Sequence, residues 1–316
     1  RLLNSRMLAD MESGNVKTAQ EAATSYIRTS MREASFVAQI QPPRKVDSKE
    51  LLPSLLNDLP VMLDELEVDT PGSTWVPLQT APRADYIQGS KFLTPMARIQ
   101  TPALEKDLDE LHTSKMDLRR VLTDISLKYG QRQIDAKYIA EVEKIITGNG
   151  TLAAGDTNPI TGKVQWRQFS GGLCRENFAE ALKMLPTASS LDTSQEKFNC
   201  PNAICLMNDI TAIDLLKYER LEAGGDLSQR LLLNGLTVDT LPTFGLKVIF
   251  TIKQHLVPTG TVYFFTKPEW LGRYYYLYDW VMYLEKKGPS ISSYSYWMGG
   301  LSIANIAGVA RADFVA

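Results

Sequence analysis

Apolar side chains fall at Leu118, Val121, Leu122 and Ile125, and the stripe resumes after Gly130 at Ile134, Tyr138, Val142, Ile145 and Ile146. Steps of three and four residues put these on one helical face with charges on the other. The pattern predicts a long amphipathic helix over about 116–147. Thr147-Gly148-Asn149-Gly150 tolerates positive φ and should end it. Gly130 costs roughly 1 kcal/mol against Ala in a helix interior, which predicts a kink or break there.

Just before this helix the pattern changes period. Residues 68–104 carry β-branched and aromatic positions, at 74–76 and again over 91–99, separated by Gly and Pro. The reading is an extended polar hairpin. Prolines at 77, 82, 95 and 102 cannot donate ladder hydrogen bonds, which keeps the ribbon out of the middle of a sheet. Large apolar residues are few, and a lone two-stranded hairpin is marginal in water. The ribbon therefore needs a partner surface, from its own chain or from another.

The rest of the chain mixes helical and extended patterns. Residues 1–45 are helix-prone, with a weak stripe at Tyr26, Ile27, Met31, Ala34, Phe36 and Val37, and stop at Gln41-Pro42-Pro43. Residues 46–67, broken by Pro53 and Pro60, read as a connector, and 151–172 read as loop. A helix fits 175–185, with Phe178, Ala181, Leu182 and Leu185 on one side. Residues 203–207 read as a buried strand, Asn208-Asp209 as a cap and 210–221 as a helix. Two short strands follow at 245–251 and 261–265. Trp270, Tyr274, Tyr275, Tyr276, Tyr278, Trp280 and Tyr283 make an aromatic run that reads as sheet plus core, and 294–315 is apolar and rich in small residues. Strands and helices without strict alternation indicate an α+β fold, and no repeat is found.

Composition changes this picture little. With 316 residues the chain can bury a sizeable core in one large or two modest domains. Its 34 basic and 36 acidic residues nearly cancel, which argues against tight binding to a phosphate backbone. No apolar run approaches the roughly 20 residues of a membrane span. Cys174, Cys200 and Cys205 form no CxxC pair, which fits a reduced setting.

Candidate chemistry is thin. His112 and His255 stand far apart, with no paired-Cys or HExxH spacing, so no metal is expected. The glycines at 150 and 155 have the spacing of a phosphate loop, but Asp156-Thr157 stands where Lys-Ser/Thr is needed. Cys174 or Cys205 with His255 is the one arithmetically possible nucleophile and base, yet Cys205 lies in an apolar strand. Asp107, Asp109 and Glu110 read as a solvated face. The expectation is no enzyme activity and no cofactor.

The order of elements resembles the major capsid proteins of tailed bacteriophages, the Hong Kong 97 capsid fold. The resemblance rests on several strings: 144–151 (KIITGNGT), 178–185, 202–209 (NAICLMND) with the helix after it, 245–251, 258–265 and 309–314. It covers nearly the whole chain through short, degenerate matches. It implies an α+β capsid subunit with an N-terminal arm and connector (1–67), an extended loop (68–104) and a peripheral domain with the spine helix (105–167). An axial domain (168–289) and a return to the peripheral domain (290–316) complete it. It further implies self-assembly into hexamers and pentamers of an icosahedral head, enclosing double-stranded DNA without sequence-specific binding. The implied partners are a scaffolding protein, a portal and a decoration protein, with no membrane. The implied location is the virion, assembled in the host cytoplasm.

Head-to-tail contacts that close into rings agree with a ribbon needing a foreign surface. Trp75, Arg83, Asp85, Tyr86, Lys91, Phe92 and Arg98 are the expected inter-subunit contacts. Three other readings stay open: an encapsulin-like compartment of the same fold, a cysteine-dependent enzyme, and a binding module using the aromatic run.

Overall fold

The computed structural model describes residues 35–53, 60–65, 91–107, 118–185, 202–214, 239–241 and 246–315, with backbone alone at 53, 118–125, 127, 128 and 239–241. Its axis is the helix Leu118–Ile146, whose 29 residues span about 44 Å. Ile134, Tyr138, Val142 and Ile146 are buried along one face, as their spacing predicts. The helix runs through Gly130 without a break, contrary to the expectation of one. The reason is packing: a Cβ at Gly130 would lie 2.0 Å from Cζ2 of the buried Trp280, so the missing side chain admits the indole. The predicted stop holds, with φ of 54°, 59° and 89° at Gly148, Asn149 and Gly150, and the Asn149 N–H donating to the Lys144 carbonyl at 2.8 Å.

One face of the helix meets a six-stranded sheet. Its order is Asp239–Leu241, Leu246–Thr251, Ile204–Asn208, Thr261–Phe265, Val309–Val315, Trp166–Ser170. The two central apolar strands are buried along their whole length, which requires cover on both faces. Alternation sorts the side chains. Ile204, Leu206, Tyr263 and Phe265 join the spine helix stripe in one cluster; Cys205, Met207, Val262 and Phe264 join Phe178 and Ala181 of the helix Arg175–Leu182 in the other. Asn208 accepts from the Thr211 N–H at 2.6 Å and caps the helix Asp209–Ile213, as its position in the sequence predicts.

A five-stranded sheet is built on the long hairpin Gly272–Lys287 and Ser290–Ile303. Arg44–Lys45 lies parallel on its outer side, and Ala97–Gln100 and Leu104–Asp107 pair antiparallel on the other. From Tyr274 on the aromatic run is sheet plus core, as read: Tyr274, Tyr275 and Trp280 are buried while Tyr278 and Tyr283 face out. Trp270 departs from the reading, lying exposed in the short helix Pro268–Leu271. A third sheet joins Leu52–Pro53, Pro60–Glu65 and Lys91–Pro95.

Several readings change here. Residues 46–67 are more than a connector, because two of their segments are strands. Residues 151–172 are more than loop: Trp166–Ser170 pairs parallel with the last strand, and Thr157–Asn158 pairs with Lys163–Val164. The second arm of the ribbon is two strands parted at Met96, paired with Pro60–Glu65 and with Ser290–Ile303. The first arm, at 74–76, lies outside the described residues. Both arm strands are sheet edges, the place that Pro95 in Lys91–Pro95 allows. Residues 272–287 share a sheet with 97–107, whereas Val309–Val315 lies between Thr261–Phe265 and Trp166–Ser170. Apolar pattern alone could not assign these strands, because each buries side chains equally well in either sheet.

Candidate assembly interface

The surfaces available for assembly are set by how the arm and the ribbon join the body. Residues 35–41 wedge between the spine helix and both large sheets, with Phe36, Val37 and Ile40 buried. The Ser35 hydroxyl donates to Asp135 Oδ1 at 2.8 Å, and the Lys253 ammonium pairs with Oδ2 of the same carboxylate while lying over the Phe36 ring. Lys247 Nζ donates to the Gln39 carbonyl at 3.2 Å, and Gln41 Nε2 donates to the Ser302 carbonyl at 3.3 Å. The arm therefore leaves from a fixed anchor. Burial raises the pKa of Asp135 above the usual carboxylate range, against the opposing pull of Lys253.

A second polar junction ties the C-terminal half of the spine helix to the six-stranded sheet. Glu143 accepts from the Tyr263 hydroxyl and from Arg311 Nη1, the latter at 2.9 Å. Asp313 accepts from Arg311 Nε at 3.0 Å, from Trp166 Nε1 at 2.7 Å and from the Thr261 hydroxyl at 2.8 Å. The Arg311 guanidinium lies 5.0 Å from the Trp166 ring centroid. Burial, with Glu143 alongside, pushes the Tyr263 hydroxyl well above its ordinary value.

The base of the ribbon is held as firmly. The Tyr275 hydroxyl donates to Asp64 Oδ1 at 2.7 Å, its pKa pushed up to about 12 chiefly by burial. The Thr94 and Ser302 hydroxyls share a hydrogen bond of 2.8 Å, and the Met96 N–H donates to the Pro60 carbonyl at 2.9 Å. The Pro60–Glu65 and Lys91–Pro95 pair ends at Glu65 opposite Lys91, both exposed. Glu65 and Lys91, the residues that flank 66–90 in the sequence, thus stand side by side.

The expected contact residues divide accordingly. Trp75, Arg83, Asp85 and Tyr86 lie outside the described residues. Lys91 is exposed at the ribbon base, and Phe92 is half-buried opposite Asp64. Arg98 has a partner in its own chain, its guanidinium 4.4 Å from the Tyr296 ring centroid. Sequence reading passed over the outward-facing Leu52, Val61, Leu63 and Leu93. The available signal was that 60–65 and 91–95 carry apolar residues at both parities, hence on both faces.

Of the two candidate nucleophiles, Cys174 is half-buried. Cys205 is fully buried, and burial drives its thiol pKa far up, away from the thiolate a nucleophile needs. Among the described residues no three His, Cys, Asp or Glu side chains group as metal ligands, and no helix is long and apolar enough to cross a membrane.

No family model matches the chain, and no curated protein matches it in sequence. Solved structures do. The capsid of a native GTA particle superposes with a TM-score of 0.55 at 14% identity, over 89% of this chain and 90% of that one. A chain of Microbacterium phage Oxtober96 gives 0.58 at 8% identity, over 89% and 91%. A virus-like particle from Pyrococcus furiosus gives 0.50 at 12% identity, over 93% and 98%. Likeness over so much of both chains defines the class: the fold is α+β, of the Hong Kong 97 capsid type.

Proposed function

We propose that this chain is a structural protein, the major capsid subunit of a tailed phage, which forms a closed shell from copies of itself. The observation that carries the reading is the match of about nine-tenths of the chain to the capsid subunit of a GTA particle. Pentamers and hexamers are the assembly units in this reading, packaged double-stranded DNA is the content, and scaffolding, portal and decoration proteins are the partners. A near-neutral chain suits a container, since a strongly basic wall would hold the DNA it encloses.

In the same reading the five-stranded sheet and spine helix form the peripheral domain, and the six-stranded sheet forms the axial domain. The extended loop is centred on 66–90, carrying Trp75, Arg83, Asp85 and Tyr86 as contacts, with Lys91 and Phe92 at its base. The hydrogen bond of Ser35 to Asp135 and the pairing of Glu65 with Lys91 support this assignment, because they hold in the body the residues that flank 1–34 and 66–90.

The test replaces 66–90 with a short Gly-Ser linker and compares both chains by negative-stain microscopy. Rings or shells from the intact chain, and folded but unassembled subunits from the linker chain, are expected. Equal assembly of the two would refute the ribbon's role. The Pyrococcus particle favours one alternative, an encapsulin-like compartment of the same fold. Particles from the native source that hold protein cargo rather than double-stranded DNA would decide for it.

A further inference from the structure

A cavity of about 20 Å³ lies where residues 35–43 meet the five-stranded sheet. Room of this size admits one group as large as a water molecule. Ser35 and Ala38 stand on the arm side, and Tyr274, Tyr276, Asp279 and Trp297 on the sheet side.

The sheet side has the chemistry of a cation site. The Tyr274 and Trp297 rings are tilted by 56° with centroids 6.1 Å apart, and Tyr276 follows two residues on along the same strand face. Aromatic faces carry negative potential and attract a positive charge set against them. The indole fits here because of Gly299, opposite Tyr276 in the register: a Cβ there would lie 2.2 Å from Trp297 Cζ2.

Asp279 reaches the same cavity through an irregularity of its strand. It stands three residues after Tyr276, a spacing that a regular pleat sends to the opposite face. The register against Ser290–Ile303 shifts between Tyr276 and Tyr278 and again between Tyr278 and Val281. A bulge of this kind re-aims a side chain. The Trp280 N–H donates to Asp279 Oδ1 at 3.0 Å and steadies the carboxylate. Its charge is felt within: after burial, Asp279 and then Asp135 push the Tyr274 hydroxyl above its ordinary value. Asp135 pairs with Lys253, whereas Lys45, opposite Tyr276 in the register, is exposed and does not line the cavity. The Ser35 hydroxyl donates to Asp135 and keeps its own lone pairs to accept from a donor.

This chemistry selects among cations. Ring faces do not supply the several oxygen ligands that a hard metal ion takes. The space is too small for a guanidinium or a quaternary ammonium group, but it fits –NH3+. We infer that the cavity binds one primary alkylammonium group, its N–H donors meeting Asp279 and Ser35 and its charge lying against Tyr274, Tyr276 and Trp297. The inference does not depend on the shell reading, since it concerns a small ligand and not a contact between copies.

Equilibrium dialysis of the intact chain against radiolabelled n-butylammonium chloride tests it, whether or not the chain assembles. Saturable binding of one equivalent per chain is expected, with a dissociation constant on the order of a millimolar. Asp279→Asn should weaken binding at least about tenfold while the chain stays folded by circular dichroism. Neither n-butanol, which lacks the charge, nor tetramethylammonium, which exceeds the space, should compete. No saturable binding, undiminished binding by the folded variant, or effective competition by either compound would overturn the inference.

Should Asp279→Asn misfold, Ala38→Leu gives an independent readout. Ala38 is half-buried on the arm side, so a leucine there occupies the cavity without altering any charge. A folded Ala38→Leu chain is expected to lose the butylammonium site, and one that binds as the intact chain does would overturn the inference.

Discussion

Replacing Gly130 with alanine asks for a methyl group where the Trp280 indole already lies, 2.0 Å from Cζ2. Overpacking of this kind costs about 1–3 kcal/mol, more than the roughly 1 kcal/mol that alanine gains in a helix. Gly130→Ala should therefore lower the melting temperature, and Trp280→Phe should remove most of that effect by shortening the ring system. An unchanged melting temperature for the single variant would contradict the packing account. The sequence showed that Gly130 was unusual, but its cause sits 150 residues away and leaves no local trace.

Asp135 gives the pH counterpart. Its pKa is higher folded than unfolded, chiefly through burial, so between the two values the folded state binds more protons. Its contribution to stability is thus fully present below the ordinary value of 3.8 and is lost as pH rises through the folded value. The stability of the intact chain relative to Asp135→Asn should accordingly fall as pH rises from about 4. Denaturation curves that stay parallel across that range would refute it. Sequence reading assigned the charged residues of this helix to the face opposite the apolar stripe, yet Asp135 is buried, and nothing local announced its partners Ser35 and Lys253.

At the scale of elements, local chemistry was readable and pairing was not. The spine helix, its glycine-rich stop, the Asn208 cap and the strands at 204–208, 246–251 and 261–265 follow from period and capping residues alone. Asn208→Ala should cost about 2 kcal/mol in chemical denaturation. It removes the cap to Thr211 and also strips the Val257 carbonyl of its partner at 3.2 Å. A loss below a few tenths would mean that the cap is dispensable. Strand partners depend on contacts across more than a hundred residues, as in Val309–Val315 beside Trp166–Ser170. The Glu143 and Arg311 junction is of the same kind, 168 residues apart. Double-mutant cycles with Glu143→Ala and Arg311→Ala should give a coupling of about 1 kcal/mol, and strict additivity would show that the contact ties nothing together.

For the whole molecule, the hairpin's shortage of large apolar residues showed that it needed a partner but not which one. Its second arm found that partner within the chain, at Pro60–Glu65 and Ser290–Ile303, while the rest of the hairpin lies outside the described residues. The contact candidates split with it, because Arg98 is engaged by Tyr296 while Leu52 and Leu93, passed over as ordinary apolar positions, face outward. Alternation reveals that a strand has two apolar faces; only the folded sheet reveals which one is left open.

The most direct test of the shell assignment is cryo-electron microscopy of the intact chain expressed alone and together with the other head proteins of its source. Closed icosahedral particles are predicted, with the spine helix and both large sheets in every subunit and 66–90 lying against a neighbouring copy. Monodisperse monomers under both conditions, or particles in which 66–90 folds back on its own subunit, would contradict it.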